Sequence, residues 1–168
     1  MNFNISAAFE LYQKQINRTE FFDVLRKQNL RTTGSIPSIT WELFGSILTG
    51  KKGKKGNGAD LEGIEIKSAV IGKNFEYQYH RKTWREKLKE DRTVGHIFCS
   101  YNPDYNSCRV YFLEGTQLTP FFDDWEPRCK KNYRPKKRQR HRETIGYKFV
   151  VEYGNLVMEI KDGILVIP

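Results

Sequence analysis

Cysteine is scarce in this sequence, and long apolar runs are missing from it. The 168 residues include three cysteines, an odd number with no CxxC pair, which argues against a disulfide framework. Their spacing relative to the three histidines matches no standard zinc motif. No segment has the apolar length of a membrane span, and residues 1–10 lack the basic start and apolar run of a signal peptide. We therefore expect a cytoplasmic protein with reduced thiols and no membrane partner.

Acidic residues are in the minority. The chain has 29 Lys and Arg against 20 Asp and Glu, a formal net charge of +9. Nine of the cations and no acid lie within residues 128–142, so the rest of the chain is electrically balanced. A second basic group, in a glycine-rich stretch, consists of Lys51, Lys52, Lys54 and Lys55. Concentrated positive charge favours a polyanionic partner, nucleic acid first, and both segments are candidates to contact phosphates.

Apolar periodicity predicts a single domain of mixed secondary structure. Helices are predicted over 5–17, 19–28, 35–49, 83–91 and from 119 or 120 to 133. Strands are predicted over 58–71, 94–101, 108–113, 147–153, 155–160 and 164–167, with a basic loop after residue 133. No linker is long enough to divide the chain. We therefore predict one α+β (mixed α/β) domain over 1–168, with residues 1–35 as a helical, candidate dimerisation segment and 36–168 as the functional core.

Residues 58–68, GADLEGIEIKS, have the pattern of a charged strand. Side chains two residues apart in a strand share a face, so Glu65 and Lys67 are expected side by side and exposed. The buried face is expected to carry Ile64, Ile66 and Ala69. Asp60 precedes the pair across Gly63, which can bend the chain. Carboxylates are the hard oxygen ligands that Mg²⁺ prefers, and a neighbouring lysine can position a water or balance phosphate charge.

The triplet Asp60, Glu65 and Lys67 resembles the catalytic motif of PD-(D/E)xK nucleases, in which an Asp precedes Glu-x-Lys. From about Leu43 onward the chain also resembles PvuII-like type II restriction endonucleases within that superfamily. The segments that carry this resemblance are 47–50, 56–57, 65–68, 113–114, 121–126 (FFDDWE) and 147–154 (YKFVVEYG). The interval between Asp60 and Glu65 is shorter than in those enzymes, which leaves Glu62 as an alternative acid.

The resemblance implies a restriction-endonuclease-like core, with a central mixed sheet flanked by helices, and Mg²⁺-dependent, sequence-specific cleavage of both strands of DNA. Asp60, Glu65 and the backbone carbonyl of Ile66 would hold one or two Mg²⁺ ions, while Lys67 would orient the attacking water. Glu42 is a candidate for an extra carboxylate. The resemblance further implies a homodimer on double-stranded DNA, each subunit cutting one strand, and a cognate methyltransferase in the same system.

The residues expected to contact DNA lie in three segments. The alternating stretch 73–82 offers side chains that suit base edges or phosphates; they are Gln78, Tyr79, His80 and Arg81. The two basic segments offer contacts to the backbone; these are Lys51, Lys52, Lys54, Lys55, Lys136, Lys137, Arg138 and Arg140. The basic segment and residues 77–81 depart from the resembling enzymes, so we expect a different target sequence.

Two other functions stay open at this point. One is a nicking, repair or junction-resolving nuclease of the same superfamily. The other is a non-catalytic, basic nucleic-acid-binding domain in which Glu65 and Lys67 form a surface ion pair, worth roughly 0–1 kcal/mol. In that case replacing Glu65 would change nothing measurable. A requirement for metal separates the enzymes from the binding domain, whereas salt dependence does not.

Overall fold

The computed structural model describes residues 1–32, 34–56, 58–134 and 138–167. A central five-stranded sheet is flanked by helices, which confirms the predicted α+β class. The helices are α1 (Ile5–Leu11), continued by a π-helical segment (Tyr12–Ile16), α2 (Thr19–Lys27), α3 (Ser38–Thr49), α4 (Trp84–Asp91), α5 (Gly115–Asn132) and α6 (Tyr147–Tyr153). The strands are β1 (Ile64–Val70), β2 (Phe75–His80), β3 (Gly95–Tyr101), β4 (Cys108–Glu114), β5 (Arg140–Ile145), β6 (Asn155–Lys161) and β7 (Ile164–Ile167).

The main sheet has the order β1-β3-β4-β6-β7, and it is mixed. Strands β1 and β3 are parallel, and every other neighbouring pair is antiparallel. Strands β2 and β5 form a separate antiparallel ribbon. Strand β1 therefore lies at an edge of the sheet, where one side of its backbone is available to other groups.

Two hydrophobic cores cover the two faces of the sheet. The first packs Tyr12 and Phe44, from the N-terminal helices, beside Ile64 and Ile97 of the sheet. The second packs β2 and α5 against the opposite face, and the rings of Tyr77 and Trp125 lie 5.3 Å apart there. None of the helices in the described ranges combines the length and the apolar character that crossing a membrane requires.

Residues 147–153 were predicted as a strand, and this prediction is wrong. Their aromatic and β-branched composition favours a strand, but they form helix α6. The helix buries Val150 in the second core and places the ring of Phe149 4.7 Å from that of Phe121. Tertiary packing has overridden the local preference here.

The basic segment was predicted as a loop, but its last part is strand β5. It pairs with β2 from Phe75↔Ile145 to His80↔Arg140. The strand alternates between exposed residues (Arg140, Arg142 and Thr144) and half-buried or buried ones. Its inward face therefore closes over the second core while its arginines remain outside.

Several predicted boundaries and faces also differ. Helix α5 begins at Gly115, four residues before the predicted start, and contains Pro120 within it. The apolar spacing of α3 predicts Ile39 and Leu43 on its buried side, but both are exposed. Ala69 lies in the second core, on the opposite face of β1 from Ile64, as strict alternation along the strand requires.

Candidate active site

A tight turn brings Asp60 beside β1. The backbone of Leu61 pairs with that of Ile64 in both directions (2.9 and 3.3 Å), and Gly63 takes the positive φ of 76° that this turn needs. The turn folds Asp60 back along the strand, where its Oδ2 accepts the backbone N–H of Ile66 at 2.9 Å. Because N–H and C=O of one strand residue leave on the same side, the carbonyl of Ile66 also faces the free edge near Asp60.

Glu65 is buried, which corrects the expectation of an exposed pair with Lys67. Its side chain is 1% exposed. Its Oε1 accepts hydrogen bonds from the ammonium groups of Lys67 (2.5 Å) and Lys87 (2.9 Å). Its Oε2 has no hydrogen-bond partner among the described residues. A buried carboxylate oxygen without a partner is costly, so this atom calls for a ligand or water that completes it.

The two carboxylates have opposite pKa shifts. Burial, which is the largest effect, works against ionisation of Glu65, but Lys67 and Lys87 together outweigh it and hold its pKa below the usual range. For Asp60, burial and then the negative charge of Glu65 raise the pKa to about 6. Near neutral pH the site therefore holds one firmly ionised carboxylate beside another that titrates close to physiological pH.

Lys87 and Asp91 complete the charge network, and sequence analysis did not identify either of them. Lys87 donates to Asp91 Oδ1 at 3.3 Å and to the carbonyl of Gly58 at 3.2 Å, in addition to Glu65. Asp91 is fully buried. The sequence does show that Lys87 and Asp91 are spaced i, i+4 in a short charged helix, which allows an ion pair between them. The neighbouring residues do not indicate that this face of the helix points into the protein.

Lys87, but not Asp91, lines a cleft of about 470 Å³. Asp60, Glu65, Lys67 and the predicted extra acid Glu42 all lie on its wall. The negative charge of Glu42 contributes to the raised pKa of Asp60, so the two carboxylates are close. Glu62, the alternative acid, is exposed and lies outside the lining.

The outward face of β2 forms the facing wall of this cleft. Glu76, Gln78 and His80 line it. In the ribbon, Gln78 is opposite Arg142 and His80 is opposite Arg140, and directly opposed residues project to the same side. Sequence analysis assigned Gln78, His80 and Arg140 to DNA contact but missed Arg142, because β5 was not recognised as a strand.

Tyr79 does not belong to this face, which corrects its assignment as a DNA contact. Its side chain is fully buried, and its hydroxyl donates to Asp91 Oδ2 at 2.9 Å. His96 is likewise a core residue: its ring lies between the hydroxyl of Tyr77 and the carbonyl of Asp91, each at 2.8 Å. Burial lowers the pKa of His96 to about 4.

None of the remaining predicted DNA contacts within the described ranges lines the cleft. Lys51, Lys52 and Lys55 are exposed on the loop before Asp60, but Lys54 is paired with Glu90. Arg138 is exposed and donates to Asn132 at 3.1 Å. Arg81 lies in a separate groove. Lys136 and Lys137 lie outside the described residues.

The FFDDWE segment has a structural role in this chain. Phe122 and Trp125 are buried in the second core, while Asp123 and Glu126 pair with Arg92 on the surface of α5. None of these residues lines the cleft. The segment therefore positions α5 against β2 and contributes no chemistry directly.

The oxygen ligands in the cleft suit a magnesium ion whose coordination is completed by the substrate. Mg²⁺ is usually held by one or two carboxylates together with waters and phosphate oxygens. Within the described ranges, no group of three or more His, Cys, Asp or Glu side chains is arranged to hold a metal by itself. Asp60 and the unpartnered Oε2 of Glu65 would supply two oxygens, and the Ile66 carbonyl faces the same edge.

Comparison with known proteins adds no further constraint: no protein-family model matches the chain, and no curated protein sequence matches it significantly.

Proposed function

We propose that this protein is a Mg²⁺-dependent endonuclease that hydrolyses phosphodiester bonds of double-stranded DNA, as a type II restriction endonuclease does. The observation that carries this proposal is the buried Glu65 carboxylate, which keeps one oxygen unpartnered beside Asp60 and Lys67 in a polar cleft. An ion pair that served stability alone would have no need of that unpaired oxygen.

Five residues of the cleft have roles in the proposed reaction. Asp60 and Glu65 would hold one or two Mg²⁺ ions with the Ile66 carbonyl. The ion would polarise the scissile phosphate and lower the pKa of water. Lys67 would orient the attacking water and offset negative charge that develops on the phosphate. Lys87 acts through Glu65, because it holds Oε1 and thereby fixes the direction of Oε2.

The facing wall would select the DNA sequence. Gln78 suits adenine, and arginine suits guanine, so Gln78, Arg140 and Arg142 form a candidate base-reading set with His80. Lys51, Lys52 and Lys55 would contact phosphates. The choice of a restriction enzyme, a homodimer and a cognate methyltransferase rests on the resemblance of the sequence.

The non-catalytic alternative fits the structure less well. It required Glu65 and Lys67 to form a surface pair of little energetic value, but Glu65 is 1% exposed and contacts two lysines. A purely structural buried pair also favours full hydrogen bonding of both oxygens, but Oε2 of Glu65 has no partner in the described part of the chain.

The test is cleavage of a mixed set of unmethylated plasmid and phage fragments, with Mg²⁺ and separately with EDTA. Discrete bands that require Mg²⁺ would support a sequence-specific nuclease, and Lys67→Ala should abolish them while DNA binding is retained. Lys89→Ala, an exposed lysine of α4 outside the cleft, is the matched control and should cut normally. Smearing or nicking would favour a repair-type nuclease. Intact binding without any cleavage would overturn the proposal.

A further inference from the structure

A basic groove lies between the start of α4 and the end of α5, outside the cleft. Arg81 and Arg85 approach it from one side, and Lys130 and Arg134 from the other. Its remaining lining residues are Trp84 and Tyr133, whose rings are stacked with centroids 6.3 Å apart. The groove encloses about 340 Å³, and no acidic side chain lines it among the described residues. Four cations and two aromatic rings thus share one concave surface.

Three of the four cations of this groove are not neutralised by the described part of the protein. Arg85, Lys130 and Arg134 are exposed and form no ion pair within the described ranges. Arg128, from the same basic segment, differs because it pairs with Asp124 and Glu143. The basic segment therefore contains both cations that stabilise the fold and cations that are left for a partner.

The helix dipoles explain the positions of only some of the cations in the groove. Cations at the end of α5 interact favourably with the negative pole of its helix dipole, which is sufficient to account for Lys130. Arg85 lies in the first turn of α4, where the positive pole of the dipole disfavours a cation. Its guanidinium is held 4.5 Å from the ring centroid of Trp84. A cation kept in an unfavourable position, and oriented by an aromatic ring, indicates an anionic ligand.

The groove adjoins the cleft. His80 and Thr83 line the cleft, whereas the residues that follow each of them, Arg81 and Trp84, line the groove. Consecutive Cα atoms are only about 3.8 Å apart. The cleft and the groove therefore meet along residues 80–84, between β2 and α4.

We propose that this groove binds backbone phosphates of the DNA duplex beyond the base pairs that occupy the cleft. Phosphate contacts of this kind fix the position of the duplex without reading its sequence. The inference rests on the proposed DNA substrate, and it assigns Arg85, Lys130 and Arg134 a role in affinity and none in the chemical step.

The experiment compares salt dependence of binding in EDTA, on a duplex of about 30 bp, roughly three helical turns. The test variant is Arg85→Gln/Lys130→Gln/Arg134→Gln. The matched control is Lys14→Gln/Lys27→Gln/Lys161→Gln, which removes the same charge from exposed positions away from the groove. Each lost phosphate contact should reduce the slope of log affinity against log salt by roughly 0.9. The slope of the groove variant should therefore be smaller than that of the wild type by about 2.7. The slope of the control should match that of the wild type.

Equal slopes for the groove variant and the wild type would overturn the inference. This outcome is distinguishable from failure of the proposed function. If the wild type binds DNA without cutting it, the function fails but the slopes still decide the role of the groove. If it cuts and the two triple variants share one slope, only the groove inference fails.

Discussion

Replacing Glu65 by Gln removes one negative charge from a site in which two ammonium groups lie within 3 Å of a single carboxylate oxygen. Breaking a buried ion pair in this way costs roughly 3–5 kcal/mol, because Lys67 and Lys87 lose the charge that compensates their burial. We expect this loss in urea unfolding experiments. Added Mg²⁺ should raise the thermal midpoint of the wild type, as a ligand of the native state does, and leave that of the variant unchanged.

Glu62→Gln is the control for this prediction, since Glu62 is exposed, lies in the same segment and does not line the cleft. Its effect should stay within about 0.5 kcal/mol, and its Mg²⁺ response should match the wild type. An equal Mg²⁺ response from the Glu65 variant would contradict the assignment of Glu65 as a metal ligand.

Asp60 leads to a prediction about pH. Burial and the charge of Glu65 raise its pKa to about 6 in the native state, above the ordinary value of 3.8. A raised pKa means that the native state binds the proton more tightly, so the stability from this group is present below pH 4 and is lost as the pH rises through 6. Asp60→Asn keeps an oxygen for the Ile66 N–H but never ionises. Without metal, the variant should match the wild type at pH 4 and exceed it by up to about 3 kcal/mol at pH 7.5.

Urea titrations in EDTA at pH 4, 6 and 7.5 would measure this difference. Asp91, whose pKa is also raised by burial, changes the stability of both proteins over the same range and therefore cancels in the comparison. A variant that is less stable than the wild type at pH 7.5 would show that ionised Asp60 stabilises the metal-free protein, contrary to this prediction.

At the scale of single elements, β2 separates side chains that support the fold from those that line the cleft and are proposed to contact DNA. Tyr79→Phe removes a hydrogen bond to the buried Asp91, which should cost roughly 1.5–3 kcal/mol and leave DNA affinity unchanged. Gln78→Ala, one position away on the outward face, should have the opposite profile, with normal stability and weaker or less selective binding. Denaturation and equilibrium binding of both variants test this, and weaker DNA binding by stable Tyr79→Phe protein would contradict it.

The elements that sequence analysis predicted well are those whose pattern and packing agree. Strands β3, β4, β6 and β7 are apolar segments bounded by turn residues, and the structure confirms them. Helix α6 was missed because the composition of YKFVVEY favours a strand, and only the packing of Val150 against a distant part of the chain reverses this preference. Strand β5 was missed because its positive charge is typical of a loop, although His141, Glu143 and Ile145 do alternate inward.

The sequence predicted which side chains come together at the candidate site, but it did not predict that Glu65 is buried there. Asp60, Glu65 and Lys67 do meet in one cleft with Glu42, Gln78 and His80. The burial of Glu65 could not be predicted, because it depends on Lys87, which reaches it from a helix more than twenty positions away. Local spacing identifies which side chains share a strand face, but it does not identify the second cation that makes a buried carboxylate tolerable.

At the scale of the whole molecule, the described part of the chain has one Asp60–Glu65–Lys67 cluster, whereas cutting a duplex requires attack on two strands of opposite polarity. Two copies related by a two-fold axis would present one cluster to each strand. Sedimentation of the complex in EDTA should then give two chains per duplex.

Mixing active and inactive protein tests whether each subunit cuts one strand. If each subunit cuts one strand, wild-type protein mixed with excess Lys67→Ala should form mixed dimers that only nick a supercoiled plasmid. Nicked circles should accumulate in proportion to the mixed dimers, and pure wild type should linearise the plasmid. If one chain can cut both strands, the inactive variant would only dilute the activity, and linear product would form with no excess of nicked circles. Because both proteins are expected to bind DNA and differ at a single side chain, the ratio of nicked to linear product decides between these outcomes.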